Sequence, residues 1–129
     1  MKKVIGALIL AFISVAACIG SLFYIENTSE RALSYISEIQ TQIENNNYES
    51  SAKNAQNLEN FWNEKNDLLA TFVHHEMLEE IDETIRSINV MLKNFNEDEK
   101  TNLKVECKKA QSMLENFKDS EMPTITNIL

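Results

Sequence analysis

Glycine and proline are nearly missing from this chain of 129 residues: two glycines, Gly6 and Gly20, and one proline, Pro123. Everything from Ser21 onward is free of glycine. Phosphate-cradling loops, nucleophile elbows and most tight hairpins need glycine for positive φ or for close backbone approach. Their absence disfavours the common loop-built enzymes and favours helices joined by short polar turns. Cysteine is as scarce, with Cys18 inside an apolar run and Cys107 far beyond it. A thiol in lipid cannot pair with one outside, so no disulfide framework holds the chain. Cys107 falls on a helix core position and reads as a small buried apolar residue; exposed, it would pair between chains. No serine or cysteine has an evident base beside it, and paired carboxylates for acid–base work cannot be told from surface acids.

Positive charge is also short. All 20 acidic residues lie at or after Glu26, together with 10 of the 12 basic ones, so this part carries a formal charge of −10. Such a surface repels phosphate backbones, which excludes nucleic acid as the expected partner. It suits solubility, cationic partners or loosely held divalent ions.

What is present first is a long apolar run, Val4 to Tyr24, without a charge. As a helix it measures about 31 Å, the thickness of a bilayer's hydrocarbon core. Lys2 and Lys3 precede it, whereas Glu26 and Glu30 follow. The positive side stays cytoplasmic, which predicts a single-pass cell-membrane protein with its C-terminal domain extracytoplasmic. Three fates compete: an uncleaved signal anchor, a cleaved secretory signal, and a lipoprotein leader. The apolar core continues through Ile19, Leu22 and Phe23, which argues for the anchor. Val15-Ala16-Ala17-Cys18 resembles a lipobox and makes Cys18 the lipidation candidate, although the apolar residues after it differ from the usual solvated linker. A length of 129 residues allows one domain beyond the anchor. We divide the chain into an anchor (1–25), a helical bundle (26–119) and a C-terminal tail (120–129).

Beyond the run a seven-residue period governs. Leu22, Ile25, Ser29, Ala32, Ile36, Ile39 and Ile43 alternate spacings of three and four, one apolar stripe on a helix. The stripe leaves the apolar run in phase, so the anchor helix can continue outward. Asn27-Thr28-Ser29-Glu30 offers the opposite reading, a fresh helix capped by Asn27; the same triplet matches a glycosylation acceptor. Asn45-Asn46-Asn47 ends the helix. A second helix opens near Tyr48 with Ser51, Ala55, Leu58, Trp62, Lys65, Leu69 and Phe72 in phase, Phe61 and Leu68 widening the stripe, and small Ala52 and Ala55 admitting a close neighbour. At Val73-His74-His75-Glu76 the phase changes with neither glycine nor proline, which leaves a bend and a reversal both open. Leu78, Ile81, Ile85, Ile88, Leu92 and Phe95 resume the period. Asn96 then caps a last helix with three acids in its first turn, carrying Leu103, Cys107, Ala110, Leu114 and Phe117 and stopped by Pro123. Ile125, Ile128 and Leu129 give the tail something to dock with. Ala55–Phe61 echoes Ala110–Phe117, as stacked helical hairpins would. The fold class is therefore all-α: an N-terminal transmembrane helix followed by an antiparallel bundle of three to four helices.

One local group could carry chemistry. His75, Glu79 and Asp82 would share a helix face at i, i+4 and i+7, a zinc or manganese donor set. The order His-Glu-x-x-His is not met, since the second histidine, His74, adjoins the first and points about a hundred degrees away. Acids near a helix start are favourable in any case. We therefore assign no metal, cofactor or catalytic residue here.

Gly20-Ser-Leu-Phe-Tyr24, Tyr48-Glu49, Trp62 with Lys65, Phe72 with His75, Leu78 and Ile81, and the terminal Asn127-Ile128-Leu129 together resemble a family of small bacterial proteins known only as a domain of unknown function (DUF4363). That pattern has an acid where this chain has His74. The resemblance implies a membrane-tethered helical domain with no assigned activity. The expected function is a non-enzymatic interaction or scaffold module, held to the membrane by residues 4–24 and meeting a protein partner, another membrane protein or a second copy of itself. A ligand-binding or sensor bundle is the first alternative, and a metal-dependent domain built on His75, Glu79 and Asp82 the second.

Overall fold

The computed structural model describes residues 1–121, apart from the side chains of residues 72, 120 and 121. Four helices account for it: α1 (Lys2–Glu44), α2 (Tyr48–Phe72), α3 (His75–Lys93) and α4 (Lys100–Glu121), the last preceded by a 3₁₀ turn, Glu97–Glu99. Each helix packs on the next, and α4 returns to α1, closing a ring of four. Neighbours are antiparallel. Lys118 meets Glu30 at one end of the α1–α4 pair and Lys104 meets Glu44 at the other.

α1 is unbroken through residues 25–30. Asn27 caps nothing and is exposed, while Thr28 and Ser29 are buried inside the helix. Ile25 follows the apolar run directly, and its burial against α2 and α4 outweighs the local preference of Asn27 for a helix start. The division after residue 25 thus falls within one continuous helix. Residues 1–20 stand clear of the bundle, fully exposed. Ser21, Leu22 and Tyr24 are already half covered by it. No stalk separates the apolar helix from the packed domain.

The core follows the seven-residue period. Ile25, Ala32, Ile36, Ile39 and Ile43 of α1 face Ala55, Leu58, Trp62 and Leu69 of α2, the Leu78–Leu92 stripe of α3, and Leu103, Cys107, Ala110, Leu114 and Phe117 of α4. Each fully buried Ile, Leu or Phe contributes roughly 1.5–3 kcal/mol relative to exposure. Two expected core positions of α2 differ. Leu68, one residue from the buried Leu69 and so about a hundred degrees round the helix, is 48% exposed. Lys65 is half-buried, its stem against the bundle and its ammonium over aromatic rings. Phe72's side chain, Pro123 and the tail residues Ile125, Ile128 and Leu129 lie outside the described residues.

The repeat-like pair has a different meaning from stacked hairpins. α2 and α4 run in the same direction on opposite sides of one core, and Trp62 meets Phe117 edge-on across it, centroids 6.1 Å apart. The echo is pseudo-symmetry within a single bundle.

The turns show how the chain manages without glycine. Asn46 has φ +58°. Asn47 N–H donates to the Gln42 carbonyl (2.8 Å) and Asn46 N–H to that of Ile43 (3.1 Å), a Schellman closure with asparagine where glycine usually sits. Asparagine tolerates this conformation better than other residues with a Cβ. Its Oδ1 also accepts from Lys100 Nζ (2.7 Å) and Tyr48 Oη (2.9 Å), and Tyr48 stacks on Phe95 with centroids 3.9 Å apart. The α1–α2 and α3–α4 turns are thereby locked together. We expect Asn46→Ala to lower stability by about 1–2 kcal/mol, and Asn46→Gly by less, in thermal melts of the two variants.

The break at 73–74 is a full reversal. Val73 (φ −126°, ψ 153°) and His74 (φ −63°, ψ 134°) are both extended, and α3 then runs back along α2. Any residue adopts these angles, so no glycine is required. This reversal and the far end of α4 lie at the end of the bundle from which the apolar helix departs.

Candidate functional site

Three places hold polar or reactive groups in defined surroundings: the start of α3, the interior, and the end of the bundle nearest the apolar helix.

At the start of α3, His75 and Glu79 are exposed, whereas Asp82 is half-buried and paired with Arg86 at 2.6 Å. Among the described residues, no three of the histidine, cysteine, aspartate and glutamate side chains are placed to hold a metal ion. The i+4 arginine draws the Asp82 carboxylate away from the other two. Arg86 did not enter the reading of that constellation, although its spacing from Asp82 is visible in the chain.

In the interior, Asn89 of α3 reaches across to α2. Its Nδ2 donates to the Ala55 carbonyl (3.0 Å) and to Glu59 Oε2 (2.9 Å). The small side chain of Ala55 leaves this carbonyl accessible. A buried amide satisfied only in one register fixes how two helices align. Trp62 Nε1 and Ser29 Oγ, by contrast, are buried without a hydrogen-bond partner, a local weakness close to the apolar helix.

Cys107 is wholly buried on α4. Burial, and secondarily the Glu106 carboxylate, push its thiol up to about 12. An unfolded thiol titrates at about 8.5, so the raised folded value means that ionisation favours the unfolded chain. The contribution to stability is complete below about pH 8.5 and is lost as pH rises toward about 12. Urea midpoints measured from pH 7 to pH 11 should fall more steeply for the native chain than for Cys107→Ala. Cys18, in contrast, is exposed on the apolar stretch of α1, its carbonyl accepting from Ser21 Oγ at 2.8 Å.

At the end of the bundle nearest the apolar helix, side chains from α1 and α2 converge on Phe61. Arg31 lies over its ring at 4.8 Å and Lys65 at 5.9 Å, while the Tyr35 ring stands 5.7 Å away. Lys65 also lies 5.8 Å from the Tyr24 ring, the last residue of the apolar run. Tyr24, Arg31 and Tyr35 sit at i, i+7 and i+11, one stripe beside the buried one; that spacing was the available signal for this cluster. On the other flank of α1, Glu30 receives the Lys118 ammonium at 3.0 Å and raises its pKa. At the opposite end of the bundle, Lys104 holds the Glu44 carboxyl below its usual range.

The sequence model of one protein family, described as Domain of unknown function (DUF4363), matches residues 19–128. The chain belongs to that family. The DUF4363 match takes in the whole described bundle and begins at Ile19, inside the apolar run. The last turn of that run is therefore part of the DUF4363 unit, as the partial burial of Ser21, Leu22 and Tyr24 would require. No curated protein and no solved structure matches the chain.

Proposed function

We propose that this DUF4363 protein is a membrane-anchored, non-enzymatic interaction module whose helical bundle is held at the outer membrane surface for a protein partner. The observation that carries this reading is the continuity of α1. The helix passes without a break from an exposed apolar stretch, long and hydrophobic enough to cross a bilayer, into the bundle core. A rigid helix with no stalk fixes the height and orientation of the bundle, which suits presentation to a neighbouring membrane protein better than diffusion to a soluble one. The lysines before the apolar stretch and the acids after it support an N-terminus on the cytoplasmic side.

In native membranes the full chain should resist carbonate extraction, its bundle should be cut by externally added protease, and cross-linking should recover a specific neighbour. Recovery of no specific neighbour would overturn the interaction role. An intact mass retaining Met1–Ala17 supports the anchor, whereas loss of that segment with added acyl mass makes Cys18 a lipid-bearing N-terminus.

A further inference from the structure

We propose that the C-terminal segment, residues 122–129, docks on the face of α1 formed by Ile19, Leu22 and Phe23 and closes the bundle around the exit of the apolar helix. The inference goes beyond the reading above and does not depend on a bilayer being present.

The face comes first. Ile19, Phe23, Glu26 and Glu30 are spaced 4, 3 and 4, so they share one flank of α1. The upper part of that flank belongs to α4: Glu30 holds the Lys118 ammonium at 3.0 Å, and Glu26 acts on the same lysine. The lower part is open. Phe23 is 71% exposed and Ile19 54%, with Leu22 half-buried beside them. Lipid is the wrong cover for this ring. Gln42 meets Asn54 and Tyr35 meets Phe61, seven residues apart on both helices, which sets the reversal at Val73 and His74 level with Phe23. His74, His75 and Glu76 are exposed at that reversal. Ionisable groups at this height keep hydrocarbon below Phe23.

The occupant follows from where α4 ends. Glu30 to Glu44 and Lys104 to Lys118 are both steps of fourteen residues, so the two helices run in even register and Glu121 stands level with Asn27. From there Ile19 lies eight residues down α1, about 12 Å. Residues 122–129 span roughly 26 Å when extended, enough to descend the flank and lie along it. Met122, Pro123, Ile125, Ile128 and Leu129 make five of these eight apolar, and none of the eight has an ionisable side chain. Ile19, Phe23 and the aliphatic tail residues leave water together, which opposes the entropy lost in ordering the tail. The extent of the family match is independent support: it begins at Ile19 and ends at Ile128. The open face and the tail thus bound one DUF4363 unit, whereas the rest of the apolar run lies outside it.

The test measures maleimide labelling of Phe23→Cys in the full chain in mild detergent, with Cys18→Ala removing the exposed thiol and the buried Cys107 left in place. Labelling should be at least about tenfold slower than in the same chain ending at Glu121. Val90→Cys, exposed on α3 toward the other end of the bundle, should label equally in both. Adding Ile125→Asn/Ile128→Asn to the full chain should make Phe23→Cys label as it does in the shortened one. The shortened chain should also melt about 4–8 °C lower. Equal labelling of Phe23→Cys with and without residues 122–129 overturns the proposal whether or not the midpoint falls, because the tail then docks elsewhere or nowhere. So does protection that the asparagine variant retains, and so does protection that rises with protein concentration, which would place a second copy's tail on the face.

Discussion

Thr28→Pro should lower the melting temperature of the bundle by about 12 °C or more. Residue 28 lies inside an unbroken helix, where proline removes a backbone hydrogen bond and clashes with the preceding turn at a cost of about 3 kcal/mol or more. For a domain of this size each kcal/mol moves the midpoint by about 4–8 °C. The expectation is sharp because the local chemistry points the other way. Were Asn27 the cap of a separate helix, residue 28 would be its first position, the one place where proline is well accepted. Thr28 is buried and its hydroxyl makes no hydrogen bond among the described residues, so Thr28→Val, which keeps the shape, serves as the reference and should move the midpoint far less than proline does. Circular dichroism melts of the three full-length chains in mild detergent decide the matter. Equal midpoints for the proline and valine variants would mean that the apolar stretch and the bundle are separate helices. The mechanical link underlying the proposed function would then be gone.

Trp62→Ala should be about as severe, costing roughly 3–5 kcal/mol. Trp62 is wholly buried, spans the core and meets Phe117 of the diagonal helix edge-on. Its removal leaves a cavity that four packed helices cannot easily close. Trp62→Phe should cost far less. The indole N–H is buried without an acceptor, and deleting it relieves a desolvation penalty of roughly 1–3 kcal/mol that partly offsets the lost volume. Urea unfolding of both variants, with the slope monitored to verify two-state behaviour, measures the difference. Phenylalanine proving as damaging as alanine would show that the indole nitrogen finds a partner, such as an internal water.

Both predictions concern the half of the bundle nearest the apolar helix. Its interior carries the unsatisfied Trp62 and Ser29 groups, and its surface carries Arg31 and Lys65. The other end is tied by Asn46, Tyr48, Phe95 and Lys100. The end near the apolar helix is therefore held more by burial.

Much of this architecture was already legible in the order of residues. A seven-residue period is a local property, because the pitch of a helix converts spacing directly into direction. Ile25, Ala32, Ile36, Ile39 and Ile43 on one face, the polar turn at Asn45–Asn47 and the cap at Asn96 needed no knowledge of partners. The lack of glycine from Ser21 onward likewise pointed to helices and short turns. What only the packed structure decided are matters of register between helices. Whether α1 breaks at Asn27 depended on burying Thr28 and Ser29 against α2 and α4. The reversal at Val73 and His74 uses extended angles open to any residue, so it leaves no mark in composition. Arg31 and Lys65 meet on one ring because two antiparallel helices pack at a given height. The hydrogen bond of Asn89 to the Ala55 carbonyl has the same origin, and spacing along a single helix cannot supply that height.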